Sequence, residues 1–168
     1  MASHFTNYLK STPGCPHKGW EWLGATDLHD DEGLEFGEYE TCEFCGHEQI
    51  RYVHALRHCD WKEEIAVGRI CANNLSGDPD IDITETRLRN RAQRRNNFPR
   101  LKSWKMSTRG NEWINYLGHH VVVICWSDGS FRLRIDGELG KLTFADVVAA
   151  KRRAFDVVIR RVEQTPRH

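Results

Sequence analysis

The sequence predicts an α+β protein, with a small β-hairpin unit in the first half and an antiparallel sheet covered by one long helix in the second. Three patterns carry that prediction. Gln49 to His54 and Glu64 to Gly68 read as two strands of a hairpin, following a Cys-x-x-Cys turn. Phe131-Arg132-Leu133-Arg134-Ile135-Asp136 alternates with period two, after the apolar run His120 to Trp126 and an Asp128-Gly129 turn signal. From Phe144 to Val162 the apolar residues Val147, Val148, Phe155, Val158 and Ile159 recur at helical spacing, with Lys151, Arg152, Arg160 and Arg161 expected on the exposed side.

The chain has 168 residues, enough for one medium domain or two small ones. The reading divides it into 1–80, 81–109 and 110–168. Residues 1–19 are polar and broken by Pro13, Gly14, Pro16 and Gly19, so they read as an arm. Trp20 to Ala25 is a short strand, and Asp27 to Glu40 an acidic loop or weak hairpin. In the last segment Gly137 and Gly140 flank a further turn, Lys141-Leu142 adds a short third strand, and Thr143 caps the long helix with Asp146 three residues on.

Six cysteines raise the question of disulfides against metal. The stretch MASHFTNYLK shows no apolar h-region, so no secretory signal is expected, and no run approaches the ~20 apolar residues of a membrane span. The expectation is therefore an intracellular, cytoplasmic protein without a membrane partner, in which cysteines bind metal rather than each other. Thr41-Cys42-Glu43-Phe44-Cys45-Gly46 has the shape of a zinc knuckle: two thiolates share one ion, and Gly46 permits the tight turn. Cys71-Ala72-Asn73-Asn74-Leu75 reads as a helix start that brings a third thiolate. The expected cofactor is structural Zn²⁺ on Cys42, Cys45 and Cys71. The fourth ligand is open among His58, His54, His17, Cys15 and Cys59; His58 is preferred for its Cys-Cys-His-Cys order. A regular hairpin would carry His58 away and favour an N-terminal ligand instead.

Net charge is zero by cancellation. Acidic residues recur from Trp20 to Glu48 without a Lys or Arg, and basic residues from Thr86 to Asn111 without an Asp or Glu. The basic segment reads as a helix capped by Thr84, ending or restarting at Pro99, with Arg87, Arg91, Arg94 and Arg95 around it and Arg100, Lys102 and Lys105 beyond. With no carboxylate inside the run, it points to nucleic-acid phosphates, and Arg132 and Arg134 on the open sheet face extend the surface. The competing reading is a solvated cationic face packed through Leu88 and Ala92.

Knuckle, hairpin and helix ligand, in that order over residues 41–76, resemble a treble-clef zinc finger. Asn74 stands where that family usually places a second helix ligand. The chain as a whole looks like uncharacterised zinc-knuckle proteins of bacteria and their phages. Leu139-Gly140-Lys141-Leu142-Thr143-Phe144, with Ala149, Ala154 and Asp156 behind it, resembles the third strand and helix of AP2-type DNA-binding domains. That resemblance implies DNA contacts from Trp126, Arg132 and Arg134.

The functional expectation is a zinc-stabilised nucleic-acid-binding accessory protein, DNA favoured, without catalytic activity. The alternatives are a protein-interaction or inhibitor module acting through the acidic region, and a zinc nuclease or hydrolase using His54, His58 and Glu63 or Glu64. There is no Gly-rich phosphate loop, no Gly-x-Ser-x-Gly and no His-Glu-x-x-His.

Overall fold

The structure, a computed structural model, describes residues 8–30 and 39–164. The described residues form an α+β protein of three α-helices and two antiparallel sheets, the last helix long and C-terminal. They separate into two compact units, Met1–Arg91 and Ala92–His168. The segment read as a connector, 81–109, is shared between the two. The boundary falls within its helix.

In the first unit, β1 (Glu21–Asp27), β2 (Tyr52–His58) and β3 (Trp61–Val67) form a sheet in that order. The hairpin of β2 and β3 is longer than the expected 49–54 and 64–68. Leu56 faces Ile65, and His58 faces Trp61 at the tip. Alternation sends Tyr52, His54 and Leu56 inward, so one of three core positions on β2 is polar. Helix α1 (Arg69–Ser76) packs against β1 and β2 and brings Ala72 and Leu75 to Trp20, Leu56, Ile65, Val67 and Ile81. It ends at Gly77, whose φ of 72° is the left-handed conformation; its N–H caps the Asn73 carbonyl.

Helix α2 (Asp80–Asn97) starts four residues before the expected cap. Asp78 accepts the Asp80 N–H, acidic residues at 80 and 82 suit the helix dipole, and Thr84 lies inside the helix. The chain then tightens into a 3₁₀ turn, Phe98–Arg100, containing Pro99.

In the second unit, β4 (Lys105–Met106), β5 (Glu112–Tyr116), β6 (His119–Cys125), β7 (Phe131–Ile135) and β8 (Glu138–Phe144) pair consecutively, and α3 (Val147–Gln164) lies on one face. Ile114, Val121, Val123, Leu133 and Ile135 meet Ala150, Ala154, Phe155, Val158 and Ile159 in the core. Phe98 joins them, its ring 4.8 Å from Tyr116 and 5.6 Å from Phe155.

Several local expectations are corrected here. Strand β5 was not foreseen, although Glu112 to Tyr116 alternates; its turn, Leu117-Gly118, takes positive φ without the usual Asn or Asp. Asp136 is not an outward strand residue. It opens the two-residue Asp136-Gly137 turn with φ of 53°. Gly140 sits inside β8 rather than beside a turn, and Thr143 and Phe144 belong to that strand. The cap of α3 is Asp146, whose Oδ1 accepts the N–H groups of Val148 (2.7 Å) and Ala149 (2.9 Å). Lys151 is buried, not exposed: its ammonium lies 2.5 Å from Glu112 and over the Trp104 ring. No helix among the described residues is long and apolar enough to cross a membrane.

Candidate metal centre and cationic sheet face

The first unit brings together the Sγ atoms of Cys42, Cys45 and Cys71, all within 4.8 Å of one another. The turn that carries Cys42 and Cys45 is tied at its base by the Glu40–Ile50 bridge. Within it the Cys42 N–H donates to the His47 carbonyl and the Gly46 N–H to the Cys42 carbonyl, each at 2.8 Å. Gly46 has φ of 77°, where a side chain is strained, and a Cβ there would strike the Tyr8 ring. Glu43 pins the turn to β3: its N–H donates to the Ala66 carbonyl, and its carboxylate accepts the Ala66 N–H. The Leu9 and Lys10 N–H groups hold the other side through the Glu43 and Phe44 carbonyls. Cys71 enters from the first turn of α1.

The three thiols are not equivalent. Burial pushes the Cys71 thiol far up, and the neighbouring Cys45 and Cys42 thiols add to that. Burial alone would raise Cys45 as well, but the His47 N–H, the Cys71 and Cys42 thiols and Lys10 bring it below the ordinary thiol value. Cys45 thus ionises more readily than Cys71. A cation entering the cluster would take the place of thiol protons, the chemistry expected of a thiolate metal centre. The structure holds the ligand cluster that could bind a metal ion.

His58 does not join the cluster. The hairpin, with a register shift between Leu56 and His58, carries it to the tip, where it groups with Cys59 and Asp60. Its Nδ1 accepts the Asp60 N–H at 3.0 Å, and its ring lies 5.4 Å from Trp20. Nor do the other candidates join. Cys15 is buried with its thiol toward the Pro16 carbonyl, and the His17 ring meets the edge of Phe44. His54 is bound elsewhere at both ring nitrogens. Its Nδ1 accepts the Trp22 indole N–H at 3.2 Å; because that indole only donates, the ring proton is on Nε2, which donates to Glu85 at 2.9 Å.

Glu85 is the residue the sequence reading passed over. It was read only as a helix-start carboxylate, yet it is 3% exposed and serves His54 on one oxygen and Arg89 on the other, at 2.6 Å. A carboxylate four residues before an arginine on a helix was the available signal. With Tyr52, Gln49 and the three cysteines it lines an open cleft of about 620 Å³.

The basic residues have divided fates. Arg95 forms an ion pair with the buried Asp156 at 2.8 Å. Arg94 bonds the Tyr116 hydroxyl at 3.0 Å and lies over the Phe155 ring. Arg91 is 3.6 Å from Asp30. For Arg91 and Arg95 the carboxylates missing from the basic run are supplied by distant segments, whereas the exposed Arg94 meets a hydroxyl and an aromatic ring. Arg87, Arg100 and Lys102 are exposed.

The second unit gathers Lys105, Arg132 and Arg134 on the face of the sheet opposite α3. Registers Lys105–Trp113, Trp113–Val122 and Val122–Arg134 set one row across four strands, and Ile124–Arg132 a second. Asn115 and His120 lie on the same face. None of these outward residues of β4 to β7 is a carboxylate. The Lys105 ammonium lies 5.1 Å from the Trp113 ring centre, and the Arg132 guanidinium 4.6 Å from that of Trp126.

No protein-family model, curated protein or solved structure matches the chain.

Proposed function

We propose that the protein is a zinc-stabilised, non-catalytic nucleic-acid-binding protein, DNA favoured, that contacts its ligand through the outer face of the second sheet. The observation that carries this reading is the cationic and aromatic lining of that face, with no carboxylate among the outward strand residues of β4 to β7. Cations there meet phosphates without first breaking an internal ion pair. Arg100 and Lys102, exposed just before β4 in the chain, add charge. The weight of the interface therefore moves from Arg91, Arg94 and Arg95 to Lys105, Arg132 and Arg134. Zn²⁺ on Cys42, Cys45 and Cys71 has a structural role in this reading, in keeping with the treble-clef order of turn, hairpin and helix. The inhibitor reading acts through the acidic stretch Asp27 to Glu48, of which residues 31–38 lie outside those described. The hydrolase reading is disfavoured at its two histidines, since His54 is bound to Trp22 and Glu85 and His58 stands at the hairpin tip.

The test is fluorescence anisotropy of labelled DNA, single-stranded and duplex, titrated with salt. Arg132→Ala with Arg134→Ala should weaken binding and flatten the plot of log affinity against log salt by roughly 0.7–0.9 per cation removed. Affinity and slope unchanged by that double substitution would remove the sheet face from the interface.

A further inference from the structure

We infer that the outer face of the five-stranded sheet takes single-stranded nucleic acid, with unpaired bases stacked on Trp126 and Trp113 and the backbone held by Lys105, Arg132 and Arg134. The inference rests on the nucleic-acid reading above and narrows its substrate. Trp113 is the second residue of β5, with Lys105 beside it on β4 and the His120 ring 5.5 Å away. Trp126 follows β6 on the same face, four residues beyond Val122, and is 42% exposed. Half-buried Val122 and Ile124 form an apolar floor between the two indoles.

These features suit π faces rather than groove edges. A duplex shows a protein its phosphates and base edges; only unpaired bases offer their flat surfaces to an indole. Along β6 the positions of Val122 and Trp126 are about 13 Å apart. That is about four times the roughly 3.4 Å between neighbouring stacked nucleotides of one strand, so a ligand reaching both indoles spans about four nucleotides. The cations are arranged to match. Arg132 lies over the Trp126 ring and Lys105 over that of Trp113, each placing positive charge beside the stacking surface. A base on the open side of Trp126 then has a cation within reach of its own phosphate.

The experiment uses the full chain with labelled oligo-dT and a duplex of equal length. Oligo-dT should bind more tightly than duplex. Trp126→Ala should weaken oligo-dT binding roughly 5- to 150-fold, the range for loss of one stacked base, and Trp126→Phe should restore most of it. Because Trp113 is half-buried, its role is read from Trp113→Phe against Trp113→Leu, with an unchanged circular dichroism spectrum required of both. Duplex binding as tight as oligo-dT, or oligo-dT binding indifferent to Trp126→Ala, overturns the inference. If duplex binding still falls with Arg132→Ala and Arg134→Ala in that case, the broader nucleic-acid reading survives. Binding to neither probe defeats both.

Discussion

Replacing Glu85 tests whether the polar chain through the first unit's core stabilises it. The chain runs from the Trp22 indole through His54 to the Glu85 carboxylate, and His54 is fully buried. In Glu85→Ala the His54 Nε2–H loses its acceptor inside the core, which costs about 1–3 kcal/mol. The Arg89 pair adds less, about 0–1 kcal/mol, because the Arg89 side chain is 60% exposed and screened by solvent. The expected total is about 1–4 kcal/mol. Glu85→Gln keeps an acceptor for His54 and should lose only about 1 kcal/mol, the gap between a charged and a neutral acceptor. Arg89→Ala should cost least. Native-state amide exchange of β2 measures these losses within the first unit, without assuming that both units unfold together. If Glu85→Ala costs under about 0.5 kcal/mol, or Glu85→Gln costs as much as Glu85→Ala, hydrogen-bond satisfaction of His54 is not what the carboxylate provides.

Two further outcomes follow from the same structure. A strong chelator, or Cys42→Ser in metal-loaded protein, should loosen the turn and hairpin while leaving the second unit folded; exchange protection in residues 42–71 unaffected by metal removal would show that the trithiol is not a folding site. The Asp136 carboxyl is held below its ordinary value by its hydrogen bond to His119, the His120 N–H and Arg161. Its stabilisation is therefore full above the unfolded value of about 3.9 and is lost as pH falls through the lower folded value. Asp136→Asn should flatten the acid limb of stability in that window, and an acid limb identical to that of the parent protein would show that the turn contributes nothing there.

Elements whose cause is local were legible in the chain. Period-two alternation placed β7 and its outward Arg132 and Arg134, because each residue's face follows from its neighbours alone. The same holds for the apolar stripe of α3 and for the strand before Asp128-Gly129. Cys42 and Cys45 were legible because a two-residue spacing suffices to bring two thiols together. Adding Cys71 relied on recognising a helix start, and the structure joins it to them.

What the tertiary structure alone decided are the partnerships across the chain. Whether Arg95 is a free cation depends on Asp156, which reaches it from another helix; whether Lys151 is exposed depends on Glu112 and Trp104. His54 is a core residue because Trp22 and Glu85 satisfy both of its nitrogens, and His58 is kept from the thiols because β2 pairs with β3 out to the hairpin tip. Backbone periodicity is written into a few consecutive residues. The partner of a buried charge is chosen by packing between segments that the sequence keeps far apart, and no local pattern encodes it.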